Sequence, residues 1–591
     1  AASGPVDLTE ALEVGREVGA GAVLRGSVVE AGPEVRITAE LFTVAGHLLA
    51  RVRADGPADS VLALVDNLSV RLLRDVWRSQ EPMPEMRVSS ITTASLDAIR
   101  DYLRGEQFYR RSQWDSAAVY FERAVADDST FALAYFRLAH TFGWMEGHGS
   151  ARAVAYLESG KRESTRLPER ERALMEAHDL FEQGNVESVR RLYAYVSEHP
   201  SDAYGWFELA DAQYHAQQVL GLTDGEIYSS FDSAINLVPT LIPALIHPTE
   251  MSLASGDRTR FERYVALVEA AGGGDEANRF RDIALAIWDS TDSGAAAMYR
   301  VARRQTTRID LVIRAHFALA RDDPSRIIDA LDRALRDGVP DSTLTGMLIL
   351  KTRFLSSLGR LREAREVLDT LIITDPAQAV LPAIYPVIAG FADPTFAEPG
   401  VRVLNQIVSN NSVVVFCKAL FAAAMSDPAA ARAVVDEYLL RMQVDSSEVD
   451  GLLTGILGWA TLLEGDSVAG VEQIEESLAL VGFAPGLSSF LGPLTFELGV
   501  IKSANPETRT EGVRRLQYGI GEEYEYQALR SLALAHALEE ANDVQGAVAE
   551  YTRFIRLWSG ADPQLQSAVA AAEDAVARLS GERSTRVPPS G

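Results

Sequence analysis

The sequence predicts a mostly α fold: helical hairpins stacked into a solenoid, behind a small N-terminal α/β domain of a three-stranded antiparallel meander plus helices. Three observations carry this. Small and large apolar residues across Ala94–Phe142 repeat from Gly105 to Ala139, a period of 34 residues (139 − 105). Similar spacings of small, Leu and aromatic residues return downstream, around Leu348–Leu371 and Leu534–Phe554. Residues 22–55 instead alternate with a period of two and are rich in β-branched side chains, the pattern of half-buried strands.

The spacing has a physical reading. Gly105, Ala117 and Ala124 fall where two antiparallel helices must approach closely. Phe108, Phe121, Tyr135, Leu138 and Phe142 fill the space between them. One such hairpin cannot bury its apolar faces alone, whereas stacked neighbours can. This register resembles the tetratricopeptide repeat. The resemblance implies a right-handed α-solenoid whose inner groove is lined by the first helix of each pair.

In chain order, residues 1–78 form the α/β domain, expected to lack its own N-terminal part, and 79–94 a Pro-containing linker. Residues 95–260 form a repeat array and 261–340 degenerate helical repeats. Residues 341–580 form a second array and 581–591 a mobile tail. Ser95 is placed to cap the first repeat helix, with Asp97 in its first turn. Later units are marked by Ala153, Leu157 and Gly160, by Ala177, Leu180, Gly184 and Tyr193, and by Trp206, Leu209, Ala210, Phe231 and Ala234. After the decay between 240 and 340 the period returns at Leu348, Leu355, Gly359, Ala364, Leu368 and Leu371. It returns again at Leu457, Gly458, Gly465 and Ile474, and at Leu534, Ala535, Leu538, Ala547, Tyr551 and Phe554.

In the N-terminal part, Ala22–Ala31, Glu34–Val44 and His47–Asp55 read as strands, with turns at Gly32-Pro33 and Ala45-Gly46. Gly19, the strand start Val23-Leu24-Arg25-Gly26-Ser27, the strand Val35-Arg36-Ile37-Thr38-Ala39 and the helix that follows resemble a small α/β domain of certain bacterial signalling proteins. In those proteins, which include membrane-anchored serine/threonine kinases, adenylate cyclases and winged-helix regulators, it precedes tetratricopeptide repeats. A strand and a helix normally come first in that domain. Their absence here, with a chain that starts at Ala1, implies that a longer protein has lost its N-terminal part, and any membrane segment with it. Gly15, Gly19, Gly21 and Gly26 follow a helix and open a strand, the reverse of a dinucleotide loop, and are read as turn residues.

Composition narrows the function. The net charge is −27 over 591 residues, which disfavours nucleic acid and anionic membranes as partners. The single cysteine, Cys417, excludes an internal disulfide and any cysteine-built metal site, and it reads as a buried helical residue. The nine histidines never fall at HExxH or HxH spacing, and His148 in the Glu146–Ser150 insertion has too few partners for a metal. No GxSxG elbow or Ser/His/Asp set can be assigned, and consecutive pairs such as Glu475-Glu476 cannot face one another on a helix.

No catalytic residue, metal ligand or cofactor is therefore expected. The repeat register places Tyr102, Glu106, Tyr109, Arg110, Phe136, His140, His178, Phe207, Asp211 and Tyr214 on the groove, aromatic anchors with a few charges that suit capture of a protein or peptide. The expected function is a non-enzymatic, protein-binding scaffold or sensor module of a bacterial signalling protein. The resemblance slightly favours an extracytoplasmic location, on the periplasmic face, with membrane attachment only through the missing segment. A structural subunit of a larger extracytoplasmic assembly or filament is the alternative, and self-association stays open. An enzyme hidden in residues 240–340 would require a deep pocket with convergent titratable groups, and no motif supports one.

Overall fold

In a computed structural model, the structure describes residues 7–17, 22–57, 64–65, 68, 71–72, 93, 95–289, 291–303, 325–338, 341–407, 412–443, 450–483, 490–518 and 524–581. Gly19, Gly21, the linker apart from Thr93, and the tail beyond Gly581 lie outside these residues. Among the described residues the chain is mostly helical with one three-stranded antiparallel sheet. It divides into two compact units: Ala1–Glu182 with Ile235–Pro243, and Gln183–Ala234 with Ala244–Gly591. The division falls inside the stretch 95–260 that the sequence presents as one array.

In the first unit, the helix Leu8–Glu17 precedes strands β1 (Ala22–Ala31), β2 (Glu34–Thr43) and β3 (Leu48–Pro57), in the order β1-β2-β3. The two turns expected from the sequence are present, with Gly32 at φ 69° and Gly46 at φ 90°, values that favour glycine. Register sets Ile37 opposite Ala54 and Ala39 opposite Val52. These residues pack on Leu64, Leu68 and Leu72 of the following helical segment. On the other face, buried Glu40 accepts hydrogen bonds from Arg25 and Arg51.

The first hairpin pairs Leu96–Arg110 with Trp114–Asp127. Ser95 caps it, its Oγ accepting the Ala98 N–H at 3.2 Å. Gly105 explains the close approach: a Cβ there would lie 2.6 Å from the Phe121 ring. Phe121, Ala117 and Ala124 are fully buried. The second hairpin pairs Ala132–Glu146 with Ala151–Glu163, and Glu169–Glu182 follows.

The second unit repeats the device. Gly451–Leu463 packs on Ser467–Val481 through Gly455, Gly458 and Gly470. A Cβ on Gly458 would lie 2.9 Å from that of Gln473. Second helices begin on Asp caps: Asp427, Asp466 and Asp543 each accept the N–H three residues on, at 2.9–3.1 Å. Cys417 is buried in Ser412–Ala424, as its apolar surroundings predict. No helix among the described residues is long and apolar enough to cross a membrane.

The second unit also returns on itself, which the sequence did not indicate. Arg353 forms a two-point ion pair with Glu525 at 2.9 and 3.0 Å. Trp558 Nε1 donates to Ser357 O at 3.0 Å, and Asp562 N to Gly359 O at 2.9 Å. Phe483 N donates to Gly184 O at 2.8 Å, and Arg514 pairs with Glu226 at 3.1 Å. The expectation of a free inner wall along this whole array is therefore corrected, because late hairpins dock on early ones through polar contacts, buried at Glu525 and Trp558 and exposed at Arg514–Glu226. A repeat register specifies contacts between neighbours and carries no signal for pairs up to 299 residues apart (483 − 184).

Candidate functional site

Of the ten expected groove residues, nine are buried: Tyr102, Glu106, Tyr109, Arg110, Phe136, His140, His178, Phe207 and Asp211. Tyr214 is half-buried. Their neighbours explain this. In the first unit, Tyr102 packs on Phe121 and Phe131 with centroids 5.5 and 5.0 Å away. Tyr109 meets Trp114 edge-on, and the Arg137 guanidinium lies over the Tyr109 ring, 5.3 Å from its centre. Arg137 also pairs with Glu106, and Arg110 donates to Thr240 Oγ1 at 2.8 Å.

At the end of this row the His140 and His178 rings stack 3.7 Å apart, with Phe136 edge-on to both. Glu182 anchors the cluster. Its Oε1 lies 3.2 Å from both His178 Nε2 and His148 Nδ1, and its Oε2 accepts the Gly149 N–H at 2.6 Å. Burial alone would raise the Glu182 carboxyl, but hydrogen bonds from His148 and His178 hold it far below the usual carboxylate range. Burial first, then the positive field of His178, Arg137 and His148, keeps His140 neutral. His148 is thus no free loop histidine: it packs edge-on against Phe181 and serves Glu182.

The second unit holds a second cluster, built by Ala203–Leu220 and Pro243–Ser255. His247 Nε2 lies 3.1 Å from Asp211 Oδ1, and its Nδ1 lies 2.7 Å from Glu250 Oε2. Two carboxylates at the two ring nitrogens require two N–H donors, so the ring is the imidazolium. Burial opposes that charge, but the bonds to Asp211 and Glu250 prevail and push the His247 pKa up to about 9. Tyr214 stacks on the ring at 4.0 Å, and His215 Nε2 stands 3.8 Å from Asp211 Oδ1. This arrangement stores charge and fixes two helices. With both nitrogens donating, the ring offers no lone pair to a metal.

A third feature is open to solvent. In the second unit, Gln527–Glu540, Val544–Leu557 and Gln566–Leu579 enclose a cleft of about 640 Å³. One wall is alanine: Ala568, Ala571, Ala572 and Ala575. The other carries Leu532, His536, Glu539, Glu540 and Tyr551. Glu539 accepts from Tyr551 Oη at 3.0 Å and from Arg578 Nη1 at 2.6 Å. On the alanine wall Ala571 is exposed and Ala568 half-buried, whereas Ala572 and Ala575 are buried, so the cleft presents a mixed apolar and polar surface rimmed by a fixed charge pair.

The sequence reading brought out His140, His178, Asp211 and Tyr214 but missed Glu182, His247 and Glu250. A local signal existed for each. Glu182 follows His178 by four residues and Glu250 follows His247 by three, which puts each pair on one helix face. It also missed the C-terminal cleft, although Ala568, Ala571, Ala572 and Ala575 recur at helical spacing.

No family model matches the chain, and no curated protein matches it. Among solved structures it is similar to the APC/C hetero-tetramer Cut9–Hcn1, at 11% identity and TM-score 0.28, covering 82% of this chain and 96% of that one. It is also similar to the P58(IPK) TPR domain, at 13% identity and TM-score 0.19, covering 71% and 100%. Yeast Tom70 is similar at 12% identity and TM-score 0.21, covering 82% and 96%.

Proposed function

We propose that the chain is a non-enzymatic, protein-binding scaffold or sensor module of a bacterial signalling protein. The observation that carries this reading is the C-terminal cleft. It is a solvent-open concavity of about 640 Å³ on the last hairpins, with Ala568 and Ala571 presented on one wall and a Glu539–Arg578 pair at its rim. A segment of a partner protein laid along the alanines would exchange water for apolar contact. Its polar groups would meet His536 and Glu540. The histidine–carboxylate clusters, by contrast, are buried and have the character of structural fasteners. The N-terminal meander supports the signalling context through its resemblance alone.

The test is site-specific photo-crosslinking in the native host. A photoreactive residue at Ala571 should capture one defined protein, and Ala568→Trp, at a half-buried position on the same wall, should abolish that capture. A photoreactive residue at Ile373, which is exposed and lies elsewhere in the unit, serves as control. Equal capture from Ala571 and Ile373 would sink the reading.

A second reading, a subunit of a larger assembly, is favoured by one observation, the exposed apolar residues Leu24, Val28 and Val29 on β1.

A further inference from the structure

Strand β1 lies at the edge of its sheet and, among the described residues, pairs with β2 alone. Its outward backbone groups form an open ladder. Its apolar side chains are exposed as well: Leu24 58%, Val28 62% and Val29 58%. Leu24 and Val28 stand opposite Leu41 and Ile37, so they extend the face that packs on Leu68 beneath β2 and β3. Edge strands are normally blunted by charge, proline or a bulge. The one irregularity of this sheet lies between Leu41 and Phe42, on the β3 side. Of the two charges on β1, Arg25 is already held by Glu40 at 2.6 Å.

The order of residues indicates what covers this edge. AVLRGSVVEA is symmetric in character about Gly26: Val23 matches Val29, Leu24 matches Val28, Arg25 matches Ser27. A two-fold axis through Gly26, perpendicular to the sheet, pairs residues whose numbers sum to 52. That sum is even, so the alternation of faces is preserved. Leu24 then meets Val28 of the second copy, and Val23 meets Val29, twice each. Arg25 meets Ser27 and Glu30 meets Ala22, so no like charges stand directly opposite. Among the described residues, only Thr38 O lies within 4 Å of a Cβ placed at Gly26, at an ordinary 3.8 Å. The chain's own packing therefore leaves room for a side chain at Gly26, and a strand added edge to edge lies in the plane of the sheet and does not crowd it.

We propose that β1 pairs antiparallel with β1 of a second copy of this chain, about a two-fold axis at Gly26, joining two three-stranded sheets into one of six. The contact is isologous and closes after two copies. A single strand pair buries less than the roughly 1,200 Å² of a standard interface, so the dimer forms at micromolar concentrations and dissociates on dilution. This inference stands apart from the scaffold reading and from the C-terminal cleft.

The test is register-specific crosslinking of the full chain. Cys417 is buried and does not compete. Gly26→Cys places two thiols directly across the axis, and mild oxidation should give a disulfide dimer. Leu24→Cys alone should not crosslink, because the two thiols are offset by four residues, about 13 Å along the strands, beyond the ~7 Å between Cα atoms that a disulfide tolerates. Leu24→Cys with Val28→Cys should crosslink again. Val28→Lys should weaken self-association in sedimentation by at least tenfold, with the circular dichroism unchanged.

Equal crosslinking of the two single variants would overturn the register. A wild-type chain that stays monomeric to about 200 μM would overturn the proposal. So would a monomer whose β1 amides are protected from exchange, because another segment would then cover the edge.

Discussion

His247 Nε2 and Asp211 Oδ1 stand 3.1 Å apart across two helices, while Glu250 occupies the other side of the same ring. The groups facing this imidazolium are Asp211, His215 and Tyr214 from one helix and Glu250 from its own. Its folded pKa is raised from 6.5 to about 9. The stabilisation is therefore complete below about pH 6.5 and is lost as pH rises through about 9. The ceiling is about 3 kcal/mol for a shift of this size. Urea midpoints at pH 6 and pH 9.5 should differ in that direction. His247→Gln should flatten the difference, and an unchanged pH dependence in that variant would refute the assignment.

Gly105 faces the Phe121 ring with no room for a methyl group. Gly105→Ala should destabilise the first unit by about 2 kcal/mol through overpacking, despite alanine's better helix propensity. Gly105→Ala with Phe121→Leu should recover part of the loss. Thermal denaturation of the three proteins checks this, and a stabilised single variant would show that the two helices are not in close contact.

That pair also shows what the sequence made legible. Gly105, Phe121 and Ala139 report a local rule, close helix packing at a fixed period, and a local rule can be read without a structure. The strands were legible for the same reason, because Val35, Ile37 and Ala39 alternate against a buried face. Groove positions were less legible. Tyr102, His140 and Asp211 keep the register of an inner face, yet whether that face meets water depends on what packs against it. The return of the late hairpins was invisible, since Arg353 and Glu525 are ordinary charged residues separated by 172 positions. The His247 cluster lay in between: its Glu250 half follows helix spacing, and its Asp211 half requires the fold.

The Arg353–Glu525 pair fastens Asp341–Ser357 to the C-terminal hairpins, with Glu525 fully buried. Removing one partner of such a pair leaves a charge without its counterion and costs about 3–5 kcal/mol. Arg353→Met should therefore speed amide exchange in 341–374 and 524–565 together, with little change in the first unit. Arg353→Met with Glu525→Leu should restore much of the protection, because an apolar pair of similar volume carries no desolvation cost. Exchange confined to one of the two segments would mean that the pair does not couple them.

Cys417 gives a probe of the same unit that needs no substitution. Burial pushes its thiol up to about 12, so at pH 8 almost none of it is thiolate, and the side chain is 4% exposed. The native chain should resist alkylation by iodoacetamide at pH 8 and react fully in 6 M guanidinium chloride. The rate at intermediate urea then reports opening of Ser412–Ala424. If Arg353→Met loosens the whole closed unit, Cys417 labelling should accelerate with it. If only the two fastened segments open, labelling should stay at the wild-type rate, and the comparison measures how far cooperativity extends along the stacked helices.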